Sequence, residues 1–224
     1  MTRRGAKLRV GVLISGRGSN LQALIDASAD PAYPAEIVLV ISNRSEAQGL
    51  QRAADAGIAQ QIIVERDRAA FAAAADRALR QHGIELIALA GFMRLLDTGF
   101  VAARRDRMIN IHPSLLPAFP GLHPQRQALM AGVRFSGCTV HFVRAEVDTG
   151  PIIAQAVVPV HDDDNEESLS ARILAAEHRL YPLAVRLYAE GRLRIDGNRI
   201  AVTGGTAPDI AVLNPLEALA SRGG

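Results

Sequence analysis

The order of the apolar runs limits this chain more than any single residue does. Short, nearly continuous β-rich runs alternate with segments whose apolar residues recur every three or four positions. LRVGVLIS (8–15) precedes NLQALIDASA (20–29), and EIVLVIS (36–42) precedes EAQGLQRAADAG (46–57). AQQIIV (59–64) precedes DRAAFAAAADRALRQHG (67–83), and IELIALAG (84–91) precedes DTGFVAARR (97–105), after which comes RMINIH (107–112). Strands that are apolar throughout need cover on both faces, and strands separated by helices pair in parallel. The expected fold is α/β: a doubly wound, mostly parallel sheet with helices on both faces. Ligands then belong at the carboxyl ends of the strands.

The second half reads differently. GCTVHFVRAEVDTGPIIAQAVVPV (137–160) reads as two long strands joined around Asp148-Thr149-Gly150. HDDDNEES (161–168) leads into a long helix, about 167–190, and GRLRIDGNRIAV forms a hairpin turning on Asp196-Gly197-Asn198. The acids of the loop suit a solvated helix start, where they complement the dipole. We expect one domain over 1–224: an anion-binding half at about 8–106, a second half carrying the chemistry at about 107–195, and an antiparallel hairpin and tail at about 192–224.

Composition closes off several functions. A net charge of +2 argues against a nucleic-acid wrap but suits a site for small anions. The single cysteine, Cys138, excludes an internal disulfide and fits a reducing compartment. It lies in an alternating strand-like run without the signature of an activated thiol, so a packed core residue is the simpler reading. Arg9 interrupts the first apolar run, which therefore lacks the core of a signal peptide, and no segment is long and apolar enough to span a bilayer. The expected location is the cytoplasm.

SGRGSN (15–20) follows the first strand and opens the first helix. Gly16 and Gly18 let the chain turn tightly, the helix start offers unpaired amides to an anion, and Ser19 and Asn20 add polar side chains. A dinucleotide site would need a third glycine where Leu21 stands, and an acid after strand two where Ser42-Asn43-Arg44 stands. The loop therefore suggests one phosphate; a plain strand-to-helix turn is the alternative.

Asn110 and His112 sit one residue apart at the exit of the fifth run, and a proline-rich stretch, PSLLPAFPGLHP, follows. An Asn amide can donate to an oxygen that becomes negative in a tetrahedral intermediate, a contribution of roughly 2.7–4 kcal/mol. His112 can move protons near neutral pH, and a carboxylate such as Asp148 would orient its ring and favour the imidazolium. No G-x-S-x-G elbow is present. The set suits direct transfer of an acyl-like group to a nucleophile carried by the substrate. Of the other histidines, His123, His141, His161 and His178 are scattered without metal-ligand spacing, so no metal is expected.

Together VLISGRGSNLQALIDA, LAGFMRLL, INIHPSLLPAFPGLHPQRQAL, GCTVHFVRAEVDTGPIIAQ and AEHRLYPLAV resemble the phosphoribosylglycinamide formyltransferases, from about residue 8 to about residue 195. The resemblance implies a formyltransferase-like Rossmann variant. It implies transfer of the formyl group of 10-formyltetrahydrofolate, as co-substrate, to the amine of glycinamide ribonucleotide in purine biosynthesis. It also implies that Asn110, His112 and Asp148 are catalytic, with Asn110 also close to the folate. Gly18, Ser19 and Asn20 would take the phosphate, Glu177 the ribose hydroxyls, and Arg68 and Met93-Arg94-Leu95-Leu96 the folate. The partners implied are small molecules, with neither nucleic acid nor membrane, and the chain is expected to be a monomer or homodimer. This chain departs from the family's GLHTHRQA at Pro124 and Gln125, and from its Gly-Gly turn at Thr149. A methionyl-tRNA formyltransferase would need a C-terminal RNA-binding domain, and a formyltetrahydrofolate deformylase an N-terminal regulatory one. A non-catalytic folate- or nucleotide-binding module is the reading from another class.

Overall fold

The computed structural model describes residues 6–207 and 209–215. The alternating runs form β1 (Leu8–Ile14), α1 (Ser19–Ser28), β2 (Ala35–Ser42), α2 (Gly49–Asp55), β3 (Ala59–Ile62), α3 (Arg68–Gln81), β4 (Leu86–Leu89), α4 (Thr98–Ala103) and β5 (Met108–His112). There follow α5 (Pro124–Met130), β6 (Phe135–Phe142), β7 (Ile152–Pro159), α6 (Glu166–Ala189), β8 (Leu193–Asp196) and β9 (Arg199–Val202). Seven strands make one sheet in the order β3-β2-β1-β4-β5-β6-β7. The first five pair in parallel, whereas β6 and β7 join antiparallel.

Side-chain alternation along the strands splits the core into two layers. Val10, Val12 and Ile14 of β1 face one side with Leu21 and Leu24 of α1 and Leu169, Ile173 and Tyr181 of α6. Leu13 faces the other side with Phe71, Ala75 and Leu79 of α3 and Phe100 of α4. The buried Tyr181 hydroxyl donates to the carbonyls of Leu89 (2.9 Å) and Ile109 (3.3 Å), so α6 is fixed against the sheet near the strand ends that form the site. A capping box starts α6: Asn165 accepts from the Ser168 amide at 2.9 Å, and the Ser168 hydroxyl accepts from the Asn165 amide at 3.0 Å.

The expected fold holds: β6 and β7 complete a mostly parallel sheet, and β8 and β9 pair apart as the small antiparallel C-terminal element. Two details differ. That hairpin turns on two residues, Gly197 and Asn198. The proline-rich stretch ends in a helix: Pro124 is the first residue of α5, where a missing amide hydrogen costs nothing. Of the tail, the Asn214 side chain donates to the carbonyls of Arg134 (2.6 Å) and Val160 (3.0 Å), while 216–224 lies outside the described residues.

Candidate active site

The glycine loop after β1 is held from behind by α2. Gly16 C=O accepts from the Gly49 amide at 3.0 Å, and Arg17 C=O accepts from Arg52 Nε at 3.0 Å. In a trans peptide the N–H points opposite the C=O, so these two bonds turn the amides of Arg17 and Gly18 away from α2. Neither amide finds a protein acceptor among the described residues. Gly18 is the N-cap of α1, at φ 72° and ψ 30°. A Cβ there would lie 2.6 Å from the Gly49 Cα, so both backbone conformation and space require glycine. Ser19 and Asn20 are the first helical residues rather than the cap.

The loop forms one wall of a cleft of about 810 Å³, whose lining includes Ser19, Met93, Pro113, Gln125, Ser170 and Glu177. Asn20 turns its side chain to the floor of this cleft, where Nδ2 donates to Glu177 Oε2 at 2.7 Å. Its Oδ1 is buried without a partner. What Asn20 adds to the anion loop is therefore its backbone amide. Burial pushes the Glu177 carboxyl up to about 7, against the opposing pull of the Asn20 hydrogen bond. Near neutral pH this group is poised between a charged acceptor and a neutral donor and acceptor.

Asn110, His112 and Asp148 come together at the end of β5. His112 Nδ1 lies 3.4 Å from Asp148 Oδ2, and its Nε2 lies 3.0 Å from the Phe119 carbonyl. Both ring nitrogens thus face protein oxygens. His141, which the sequence reading left among scattered histidines, completes the cluster. It stands opposite Asn110 in the β5–β6 register, 3.2 Å from Asn110 Nδ2 and 3.6 Å from Asp148 Oδ1. Strand alternation was visible in CTVHFV, but the register that pairs Asn110 with His141 was not. An amide nitrogen carries two hydrogens, so one facing His141 Nε2 still leaves a second for a ligand oxygen.

Asp148 is in the left-handed region, at φ 56°, and accepts from the Gly121 amide at 2.8 Å. Burial raises its carboxyl, but the His141 hydrogen bond, the Gly121 amide and the nearby imidazoles outweigh this and hold it below the usual carboxylate range. Gly150 lets the turn pass: a Cβ there would lie 1.7 Å from the Phe142 carbonyl oxygen. Thr149 instead bonds the Glu146 carbonyl at 3.1 Å, so a non-glycine residue is accommodated at that step. The cluster is closed off, with side-chain exposures of 7% for His112 and 8% for Asp148, and the cleft reaches it only as far as Pro113.

The loop after His112 is pinned by side chains as well as by its prolines. Thr139 Oγ1 donates to Ser114 C=O at 2.7 Å and accepts from the Leu116 amide at 3.0 Å, and Gln155 Nε2 donates to Leu116 C=O at 2.9 Å. The departure from the family's pattern falls where α5 begins: Pro124 is buried and Gln125 lines the cleft.

The 93–96 segment borders the same cleft. Met93 is 67% exposed and Leu95 52% exposed, while Leu96 packs on the second core. The Met93 amide donates to Ser15 Oγ at 2.8 Å, which donates in turn to Asn43 Oδ1 at 2.6 Å. The Arg94 guanidinium does not reach toward the cleft. It donates to the carbonyls of Glu65 and Arg66 and stacks 5.1 Å from the centre of the Phe71 ring. Arg94 thereby ties this segment to the loop before α3, whose first residue is the exposed Arg68. A smaller recess of about 140 Å³ opens between α4 and the 143–146 stretch that leads to Asp148.

Among the described residues, no group of three or more His, Cys, Asp and Glu side chains is disposed to hold a metal ion, and no helix is long and apolar enough to cross a membrane. The formyl transferase family matches residues 8–185. The chain is 56% identical over 191 residues to the trifunctional purine biosynthetic protein adenosine-3 of Drosophila pseudoobscura pseudoobscura, covering 83% of this chain but only 14% of that protein. It is 42% identical over 204 residues to the phosphoribosylglycinamide formyltransferase of Escherichia coli K12, covering 90% of this chain and 96% of that one. Glycinamide ribonucleotide transformylase 1 of Symbiobacterium toebii superposes with a TM-score of 0.86 at 51% identity, covering 89% of this chain and 95% of that one.

Proposed function

The chain belongs to the formyl transferase family, and from that premise we propose that it moves the formyl group of 10-formyltetrahydrofolate to the amine of glycinamide ribonucleotide. The observation that carries the reading is the pairing of two features at the same edge of the sheet: a glycine loop with free amides that lines the cleft, and a buried Asn110–His112–Asp148 cluster at the end of β5, which the cleft approaches at Pro113.

The ribonucleotide phosphate lies on the amides of Gly18, Ser19 and Asn20, with that of Arg17 beside them, and the ribose hydroxyls lie on Glu177. The folate head lies along Met93–Leu96, close to Asn110, with the recess beside residues 143–146 as its second wall. In this reading the exposed Arg68 meets the folate. The neutral glycinamide amine attacks the formyl carbon. The new C–N bond sends the carbonyl electrons to oxygen, where the second Asn110 hydrogen and the His112 imidazolium stabilise the charge. Asp148 holds the ring in place. The attacking nitrogen loses a proton, the folate nitrogen gains one, and collapse of the intermediate breaks the folate C–N bond.

A covalent formyl-enzyme finds no support. Burial pushes the Cys138 thiol up to about 12, and the nearby Glu177 charge adds to this against a backbone bond to Ala156. The reading needs small-molecule substrates only, and we place it in the cytoplasm as a monomer or homodimer.

The test is acceptor choice. Tetrahydrofolate release is followed with glycinamide ribonucleotide, with charged initiator tRNA, and with no acceptor. Release with the ribonucleotide alone is expected. Equal release into water would make the chain a deformylase, and binding of both ligands without release would make it a binding module.

A further inference from the structure

We propose that Arg52 is a positioning residue for the anion loop, acting through the Arg17 carbonyl from the side of the loop away from the cleft. This rests on the reading of that loop as the phosphate site. Arg52 does not line the cleft, yet Nε donates to Arg17 C=O at 3.0 Å and Nη1 to Gln22 Oε1 at 3.1 Å. It therefore bonds both to the loop and to the first turn of α1, the two segments that present the amides. Three residues earlier, Gly49 bonds the Gly16 carbonyl, and the two backbones are so close that a Cβ on Gly49 would lie 3.2 Å from the Gly18 Cα and 2.7 Å from Ile14 Cδ1. The start of α2 is thus a template against which the loop is cast.

The physical consequence concerns peptide orientation. Without the Arg52 bond the Arg17–Gly18 peptide can rotate about Arg17 ψ and Gly18 φ, and glycine tolerates a wide range of φ. A flip would aim the Arg17 carbonyl oxygen, with its negative partial charge, at the anion. The guanidinium bond opposes that orientation, because the flip breaks a charge-assisted hydrogen bond to the Arg17 carbonyl. The guanidinium also places a fixed positive charge behind the loop, which favours an anion in front of it. Arg52 thereby acts on ribonucleotide binding and leaves the folate side and the chemical step alone.

Four proteins separate the possibilities: wild type, Arg52→Ala, Arg52→Lys and Ser19→Asp. KM for each substrate, kcat, and inhibition by inorganic phosphate are measured below the unfolding temperature of each. In Arg52→Ala the ribonucleotide KM and the phosphate inhibition constant should rise together by about tenfold, the loss expected for one charge-assisted hydrogen bond, with kcat and folate KM little changed. Arg52→Lys keeps one charged donor and should recover part of the loss. A rise equal for both substrates, a loss confined to kcat, or no change in phosphate inhibition would overturn the role of Arg52. Ser19→Asp tests the underlying reading. If it weakens ribonucleotide binding while Arg52→Ala does not, the positioning role alone falls; if it has no effect, the loop assignment falls with it.

Discussion

His112 Nδ1 and Asp148 Oδ2 lie 3.4 Å apart, with both side chains more than nine-tenths buried. The pair is drawn from the end of β5 and from a turn 36 residues later, and a left-handed backbone at Asp148, φ 56°, aims its carboxylate into the site. Strain of that kind persists where the surroundings impose it; here the Gly121 amide and two imidazoles hold the carboxylate.

Asp148→Asn keeps the size of the side chain and removes its charge. We expect kcat to fall by about 100-fold or more with the ribonucleotide KM nearly unchanged, since the loss is in proton handling. Stability follows the carboxyl group's sign. Its folded-state pKa lies below the unfolded value, so its contribution is present above the usual carboxylate range and is lost as pH falls through the folded value. The gap in unfolding temperature between wild type and Asp148→Asn should close as the solution is acidified. A gap that survives in strong acid would contradict the assignment.

His141 faces Asn110 and Asp148, so its expected effect runs through these neighbours rather than through the substrate. Replacing it with Ala should cost about tenfold in kcat, less than loss of His112, because Asn110 and Asp148 remain but are held less well. His141→Gln, which keeps a hydrogen-bonding group near Asn110, should recover part of that. Steady-state kinetics of the two variants decide it, and equal losses in both would remove the positioning role.

Glu177 carries a penalty with a pH signature. Its folded-state value of about 7 lies above the ordinary 4.5, so the stability of the free protein is highest when the group is protonated and declines as pH rises through that window. Glu177→Gln removes the charge and can offer a donor to the orphaned Asn20 oxygen. The variant should be more stable than wild type in mildly alkaline buffer by roughly 3 kcal/mol, with no advantage in mild acid. Its ribonucleotide KM should rise, since a neutral amide holds hydroxyls less well than a carboxylate. Denaturant melts at the two pH values test the first point.

Gly18→Ala meets two obstacles at once, a positive φ and the Gly49 backbone at 2.6 Å. We expect destabilisation of about 1–3 kcal/mol and weaker ribonucleotide binding with folate binding retained. Calorimetric titration with each ligand measures the difference.

The sequence carried the α/β alternation because a strand covered on both faces has to be apolar along its length, as LRVGVLIS is. It placed Asn110 and His112 together because residues two apart on a strand share a face. What it could not carry was pairing and side-chain direction. His141 joins the site only through the β5–β6 register, and Asn20 turns to Glu177, on a helix 157 residues away in sequence. Arg94 folds back on the carbonyls of Glu65 and Arg66. Pro124 read as loop because proline stops helices far more often than it starts them, yet at the first position it fits.

The sharpest measurement is a single-turnover experiment on His112→Ala with both substrates saturating, alongside the dissociation constant of glycinamide ribonucleotide. The expected result is a formyl-transfer rate lower by about 100-fold or more, with ribonucleotide affinity intact. An unchanged transfer rate would contradict the site described here.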